Sequence, residues 1–427
     1  MVCFPPPVRS LSARILSGER LSGHTKDVLV RTPEFPHPRE GTSPLRWLAE
    51  QSEFPKVLVW DRDRDEWAAG VGAAAIFTVA APTPTAVIER ELVQRAAAEP
   101  AEGPGWIGGI RFASEREPSS AWAAFGASWW IRPHTWWTKR DGVERKGVEG
   151  ERVTLARPPS AELSGESAGA YLSRVRAALD ELEGSKLEKI VLSRCVHRAG
   201  EIQAEATIEK MAQNEPSGTI YWIALDATDG FFGVTPETLY RRRGAQVETE
   251  ALAATCGPRE TDGAALLADE KSLREHAYVR DAIVAALRPG AAELDVATAP
   301  ELLRMARLHH LRTPITARLR ASGPLISRLH PTPAVCGTPY TEAEAAIARL
   351  EQQDRGLYAG GVGWCQRDGE SIYVALRGAR YSGGACAAYL GAGIVRGSRP
   401  EAELQELELK AAALFASFAS TNDEAKT

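Results

Sequence analysis

The sequence predicts a strand-rich globular fold with helices in its later part, and three observations point to it. Short apolar runs such as "KVLVWDRD", "AAAIFTVAA", "GWIGGIRFA" and "ASWWIRP" crowd the first 150 residues or so, and runs of this kind suit β-strands. Beyond residue 167, such runs alternate with segments whose apolar side chains recur at helical spacing. Hydrophobic residues make up 44% of the 427 and charged residues 25%, the balance of an ordinary globular chain.

Taken in order, the opening "MVCFPPPVRS" lacks an apolar core and so does not read as a secretory signal. The uncharged stretch from Trp67 to Ile88 is broken by Gly70, Gly72, Pro82 and Pro84, which makes it a pair of strands rather than a membrane span. Five tryptophans lie between 122 and 137. They could form an aromatic platform for sugars or bases, but core filling is the favoured reading. "RDGVERKG" reads as a hairpin turn and "RPPSAELSGES", 157 to 167, as a linker. Tyr171, Leu172, Val175, Ala178, Leu179 and Leu182 predict a helix over 167–182, stopped by Gly184. A strand follows around Lys189. "TIYWIAL" and "GFFGVTPETLYRR" read as two strands joined by "DATDG". Helices are expected from Asp269 to Leu287 and from Pro300 to about Leu308. "SIYVALRGARY" and "ACAAYLGAGIV" read as a hairpin. The last helix starts at "SRPE", where Ser398 and Glu401 have capping-box spacing and Pro400 suits a first turn.

The totals exclude some functions. A net charge of −5 and a pI near 6.0 argue against a general nucleic-acid binder. The six cysteines, at 3, 195, 256, 336, 365 and 386, form no CxxC pair and no zinc spacing. Scattered thiols in a chain this long point to a reduced, cytoplasmic setting.

Several charged residues sit awkwardly. In "LEKIVLSRCVHR", strand alternation puts Lys189 on the face of Val191, Ser193 and Cys195. A strand-end lysine could snorkel into water, or it could point inward for a reason. On the helix "DEKSLREHAYVRDAIVAAL", Glu275 shares a face with Val279, Ala282 and Ala286. On the last helix Glu403, Glu406 and Lys410 share a face, which is either a solvated face with a Glu406–Lys410 pair or half of a cation site. Glu237 follows a proline and so marks a strand start or edge, or is a plain exposed glutamate. Gly391 and Gly393, just before the last helix, form either a tight turn or an anion cradle. Arg377 alternates within an apolar strand and, if buried, needs a carboxylate partner from the protein or a ligand.

In sequence order the segments "KIVLSR", "TPETLYRR", "ALAATCGPR", "DEKSLREH", "HHLRT", "LHPTPAVCGTP", "RGLYAGGVGW", "YVALRGAR" and "GAGIVRGSRPEAELQELELK" resemble the chorismate-utilising enzymes. The resemblance covers roughly 187 to 411 and is loose before it, through "WIGGIRF" and "ASWWIRP". It implies one large α/β domain over 1–427, with two β-sheets packed face to face and helices outside. A Trp-rich β region would run to 166 and the catalytic motifs over 167–418, so 157–167 becomes an internal connection. It implies that Lys189 is the general base of the water-using branch and Glu237 the general acid. Glu275 and Glu406, helped by Glu403, would hold Mg²⁺. Arg377, Gly391 and Gly393, with Lys410 nearby, would bind carboxylate groups, and Thr255, His310 and Tyr358 match other pocket positions. Ala334 stands where ammonia-using and salicylate-forming members carry threonine, which favours conversion of chorismate to isochorismate for menaquinone or a siderophore. Salicylate formation, and a non-catalytic binding role, are the alternatives. The implied enzyme is cytoplasmic and monomeric, with no glutaminase subunit. The chain departs from the family at Ala254 (usually glycine), Gly378 (usually serine) and Gly361 (often proline). The methyl of Ala254 is expected to crowd the substrate ring.

Overall fold

The apolar runs pair into antiparallel strands joined in one continuous hydrogen-bonded network. The computed structural model describes residues 38, 41–155, 159–257, 259–305 and 308–419. The reading of residues 1–10 as no secretory signal therefore lies outside the described residues, as does part of the 157–167 connection.

The network has two arms. From its edge, the first arm runs through Gly337–Thr338, Lys189–Ala199, Ala385–Val395, Gly378–Ser382, Asp229–Thr235, Thr219–Asp226 and Lys56–Asp61. The last of these pairs with the long strand Glu66–Val79. That strand passes into the second arm: Ser128–Arg140, Trp106–Ile110, Gly361–Gln366, Gly369–Val374, Thr238–Arg243, Gln246–Cys256 and His309–Leu319. Residues 66–71 of the long strand pair with the first arm, and residues 75–79 pair with the second arm alone. Between them lie a bulge at 73–75 and Gly72 at φ +63°, a backbone angle that glycine adopts without cost. The two sheets implied by the resemblance are thus two arms of one bent network. The uncharged 67–88 stretch is one strand and the start of the helix Thr85–Ala98, not two strands.

Aromatic side chains and polar bonds join the arms. Tyr221 packs on Phe231, Phe231 on Trp122, Trp122 on Phe125, and Phe125 on Trp129, with ring centroids 5.2–6.3 Å apart. The Tyr221 hydroxyl donates to Leu376 O at 2.9 Å, and the Tyr373 hydroxyl to Asp61 at 2.9 Å. All five tryptophans between 122 and 137 are buried, as the core reading expects. Along the first arm, alternation splits neighbours between two hydrophobic clusters. Phe231 goes to the larger one, and Phe232 to the smaller one under the helices Pro44–Ala49 and Ala204–Asn214.

The helix Ala168–Gly184 forms where the apolar spacing places it, with Ser167 accepting from Ala170 N as its N-cap. The helix Glu270–Leu287 is likewise capped by Asp269. Other expectations fail for local reasons. The segment after Pro300 is a short strand, Glu301–Arg304, paired to the strand His309–Leu319. Arg312 of that strand reaches Glu301 at 3.1 Å. The late hairpin joins Gly378–Ser382, not Gly369–Val374, to Ala385–Val395. The last helix is Pro400–Phe415, and its N-cap is Arg399. Ser398 turns back to accept from Val395 N, so no capping box forms.

Two short segments carry the chain directly from one arm to the other. Asp229–Thr235 belongs to the first arm and Thr238–Arg243 to the second, so Pro236 and Glu237 make one crossing. Gly369–Val374 lies in the second and Gly378–Ser382 in the first, so Ala375–Arg377 makes the other. The crossings are tied together by Thr235 Oγ1 to Val374 O at 2.6 Å and Val374 N to Glu237 O at 3.0 Å. At the second crossing a Cβ on Gly378 would overlap the Tyr221 hydroxyl and the Phe232 carbonyl. Gly378→Ser should therefore destabilise the protein by about 1–3 kcal/mol. Urea unfolding checks this, and a neutral substitution would mean that Tyr221 does not occupy that space.

Candidate active site

Lys189 starts the strand Lys189–Ala199, flanked in register by Val395 and Thr338. It does not snorkel: it is 1% exposed, and its Nζ lies 2.8 Å from Glu275 Oε1. Burial pushes the Glu275 carboxyl up, but the Lys189 charge and hydrogen bond, then the charges of Lys271 and Lys410, bring it below its ordinary value. The buried stripe of the Glu275 helix is His276, Val279, Ile283 and Leu287, so Glu275 borders the apolar face rather than lying on it. Gly391 and Gly393 lie within the neighbouring strand, paired with Ser193 and Val191. They form neither a turn nor a helix start. A Cβ on Gly393 would come 3.0 Å from Glu275 Oε1 and 3.1 Å from Lys189 Cε. The missing side chain leaves room for the Lys189–Glu275 pair.

Glu237, at the first crossing, is 6% exposed. Its carboxyl is pushed up to about 8, first by burial and next by the charge of Glu250. The charge of Lys189 and a hydrogen bond from Thr332 oppose this. The Thr332 contact is long, Oγ1 to Oε1 3.5 Å. Glu237 is therefore protonated at neutral pH and lies within electrostatic reach of Lys189. Thr332 and Ala334 belong to the "HPTPA" loop, where Ala334 N donates to Thr332 Oγ1 at 3.3 Å. The loop's His330 donates through Nε2 to Ala359 O at 2.7 Å.

Arg377, at the second crossing, holds a left-handed φ of +50°. Its Nη2 donates to His310 Nε2 at 2.8 Å and its Nη1 to Met305 Sδ at 3.7 Å. Because a guanidinium only donates, His310 Nε2 accepts, and its Nδ1–H donates to Thr255 Oγ1 at 3.0 Å. Burial, then the charges of Arg377 and Lys410, push His310 down to about 3, so this ring is neutral. Burial also lowers Arg377, against the charge of Glu215. Among the described residues Arg377 makes no ion pair, so a half-buried cation is left facing the site without an anion. Lys410 Nζ donates to Gly391 O at 3.0 Å and pairs with Glu406 at 2.6 Å. Tyr358 stacks on Tyr389 with centroids 5.7 Å apart, its hydroxyl over Gly391.

The three candidate metal ligands are neighbours that do not converge. Glu403 is pushed up by burial and then by the charges of Glu406 and Glu275, against a hydrogen bond from Ser398 and the charge of Lys271. Among the described residues no three His, Cys, Asp or Glu side chains form a ready cage. The donors are all carboxylate oxygens that repel one another, and this chemistry fits a hard divalent cation. A cleft of about 210 Å³ opens beside Glu275, between Lys271, Arg274 and Tyr278 on one side and Glu188, Val395 and Arg396 on the other.

Ala254 sits in the bulge between Ala253 and Thr255 at φ +58°. A left-handed angle costs a residue with a Cβ about 1 kcal/mol. The backbone thus explains why glycine suits this position, without reference to a substrate ring.

Residues 151–419, well over half of the chain, match the family described as "Chorismate binding enzyme". The chain belongs to the chorismate-binding enzymes. Isochorismate synthase MenF of Escherichia coli is 30% identical over 427 residues, covering 93% of this chain and 96% of that protein. Isochorismate synthase DhbC of Bacillus subtilis is 39% identical over 265 residues, covering 56% of this chain and 65% of that protein, just under two thirds of its length. The solved structure of the menaquinone-specific MenF from Escherichia coli matches with a TM-score of 0.74 at 27% identity, over 88% of this chain and 92% of that one. Anthranilate synthase component I from Streptococcus pneumoniae, at TM-score 0.64 and 18% identity over 85% and 91% of the two chains, shares the fold.

Within this site two side chains escaped the sequence reading. One is Thr332, whose hydroxyl between two prolines faces Glu237. The other is His276, 2% exposed beside Glu275, with its Nε2 2.7 Å from Thr313 Oγ1. Its spacing from Val279 and Ile283 carries the signal of a buried position. The raised Glu237 carboxyl makes a stability prediction. Below its ordinary value of 4.5 both folded and unfolded chains are protonated there. Between 4.5 and about 8 the unfolded chain ionises while the folded chain keeps its proton, so stability falls as pH rises. Glu237→Gln removes that slope. Its melting temperature relative to the unsubstituted protein should rise between about pH 4 and about pH 8; a constant offset would place an ionised Glu237 in the fold.

Proposed function

We propose that this chain is an isochorismate synthase. It adds water at C2 of chorismate as the C4 hydroxyl departs and the ring double bonds shift. Lys189, once its ammonium has given a proton to solvent, takes a proton from the attacking water, and Glu237 gives one to the leaving hydroxyl. One water enters and one leaves, so the reaction is an isomerisation, and solvent returns the two side chains to their starting protonation. The observation that carries this reading is Glu237. It is a carboxyl kept protonated near neutral pH by burial, as a general acid must be, and it is within electrostatic reach of an inward-facing lysine.

Arg377 binds a substrate carboxylate, which supplies the anion that the protein itself withholds, with Lys410 adding positive charge. His310 and Thr255 orient the guanidinium. Gly393 leaves space beside Lys189 and Gly391 beside the Tyr358 hydroxyl, and Tyr358 and Ala334 shape the pocket. Glu275 and Glu406, with Glu403, would hold Mg²⁺, which supplies positive charge to a substrate carboxylate. Water in place of ammonia calls for no glutaminase subunit. The chain would act as a cytoplasmic monomer whose product feeds menaquinone or siderophore biosynthesis.

Product analysis tests the reading. Purified protein with chorismate and Mg²⁺ should yield isochorismate alone, and chelation should abolish turnover. Salicylate with pyruvate would assign the longer reaction, and unchanged chorismate a binding role. Lys189→Ala should lose on the order of 10²–10⁴ in kcat while still binding chorismate. A folded variant of undiminished rate would end the assignment of the base.

A further inference from the structure

We infer that Arg355, with its partner Glu351, is a positioning residue that holds the base-bearing strand and the acid-side loop in register. The inference rests on the roles of Lys189 and Glu237 proposed above. Arg355 is 3% exposed. Its Nη2 donates to Val191 O at 2.7 Å, two residues from Lys189. Its Nη1 donates to Val335 O at 2.7 Å, three residues from Thr332 at the end of the "HPTPA" loop. Nε and Nη2 also bind the two oxygens of Glu351, at 2.8 and 2.6 Å. Glu351 in turn accepts from Ser193 N at 2.6 Å. One planar group thus spans both catalytic segments.

The strand edge needs this group. The lysine strand pairs with Ala385–Val395 along its whole length, but on its other side it pairs only with Gly337–Thr338. Beyond that short ladder, Val191 N still donates to Cys336 O at 2.7 Å, but Val191 O and both backbone groups of Ser193 meet side chains instead: Arg355, Glu351, and Arg174, which donates to Ser193 O at 2.8 Å. The guanidinium also lies 4.2 Å from the centroid of the Phe112 ring, which packs edge-on against His330 of the same loop. A buried ion pair is weak support for stability in itself, whereas a fork that reaches two carbonyls and a carboxylate at once fixes geometry. Lysine keeps the charge opposite Glu351 but cannot span both carbonyls.

Arg355→Lys, and Arg355→Met combined with Glu351→Met, are compared by melting and by steady-state kinetics, each alone and in a Lys189→Ala background. In either folded variant kcat should fall on the order of 10- to 100-fold, with KM changed by no more than about threefold. In the Lys189→Ala background the same substitutions should cost little more, because the geometry they set has lost its reacting group. If the Met pair does not fold, the lysine variant alone decides. An unchanged kcat, or an equal loss with and without Lys189, would overturn the positioning role. Failure of the proposed activity is a separate result: unsubstituted protein that does not consume chorismate.

Discussion

The site depends on one constraint: two antiparallel arms share a core, and the chain has to pass from one arm to the other. Glu237 and Arg377 stand at the two shortest of those passages, where the backbone leaves one ladder before joining the next. A residue within a strand has its backbone committed to neighbours on both sides. A residue at a crossing does not, and its side chain is free to enter the space where the arms part. The hydrogen bonds Thr235–Val374 and Val374–Glu237 lock the two crossings together. Acid and anion-binding cation are therefore held by the same backbone joint. The left-handed φ of Arg377 is the local cost of that joint.

Electrostatics divides the site in a second way. At one end Lys189, Glu275, Glu406 and Lys410 neutralise one another in pairs of 2.8 and 2.6 Å. At the other, Glu237 is a protonated carboxyl and His310 a neutral ring, both made so chiefly by burial. Arg377 is left as a cation without a carboxylate among the described residues. Truncating Lys189 alone leaves the mostly buried Glu275 without its nearest cation, and Gly393 offers no side chain to fill the gap. This half of the site is built around charge, whereas the acid half is built around exclusion of water.

Much of this was legible in the sequence, because strand alternation and helical spacing are local. The lysine strand, the helix after Asp269 and the burial of the tryptophans follow from such patterns. The readings that failed depend on partners far away in the chain. "GAGIV" gave no sign of its ladder with residues 189–193, and the strand after Pro300 exists only because His309–Leu319 lies beside it. Ser398 had the spacing of a capping residue, but Pro400 set the helix start one residue later. The motifs located Lys189, Glu237 and Arg377 as candidates. They did not contain the pairing of Lys189 with Glu275, or the contact of Thr332 with Glu237, because neither is encoded by spacing.

The N-terminal part, which lies outside the family match, takes part in holding the site. Glu89, on the helix Thr85–Ala98 that the sequence reading missed, is fully buried. Its carboxylate accepts from the backbone amides of Leu325, Ile326 and Ser327 and from the Ser327 hydroxyl. These are the residues that lead into His330 and the "HPTPA" loop. Arg111, from the start of the loop after Trp106–Ile110, grips both oxygens of Asp354 at 2.8 Å, next to Arg355. Trp122 donates to the Tyr389 hydroxyl at 3.1 Å, and Tyr389 stacks on Tyr358. The acid-side loop is thus fastened upstream by Glu89 and downstream by Arg355. A buried carboxylate bound to three successive amides has no cheaper alternative in water-free surroundings. Sequence in this region can therefore drift from that of its relatives as long as a buried acceptor and an aromatic wall remain in these places.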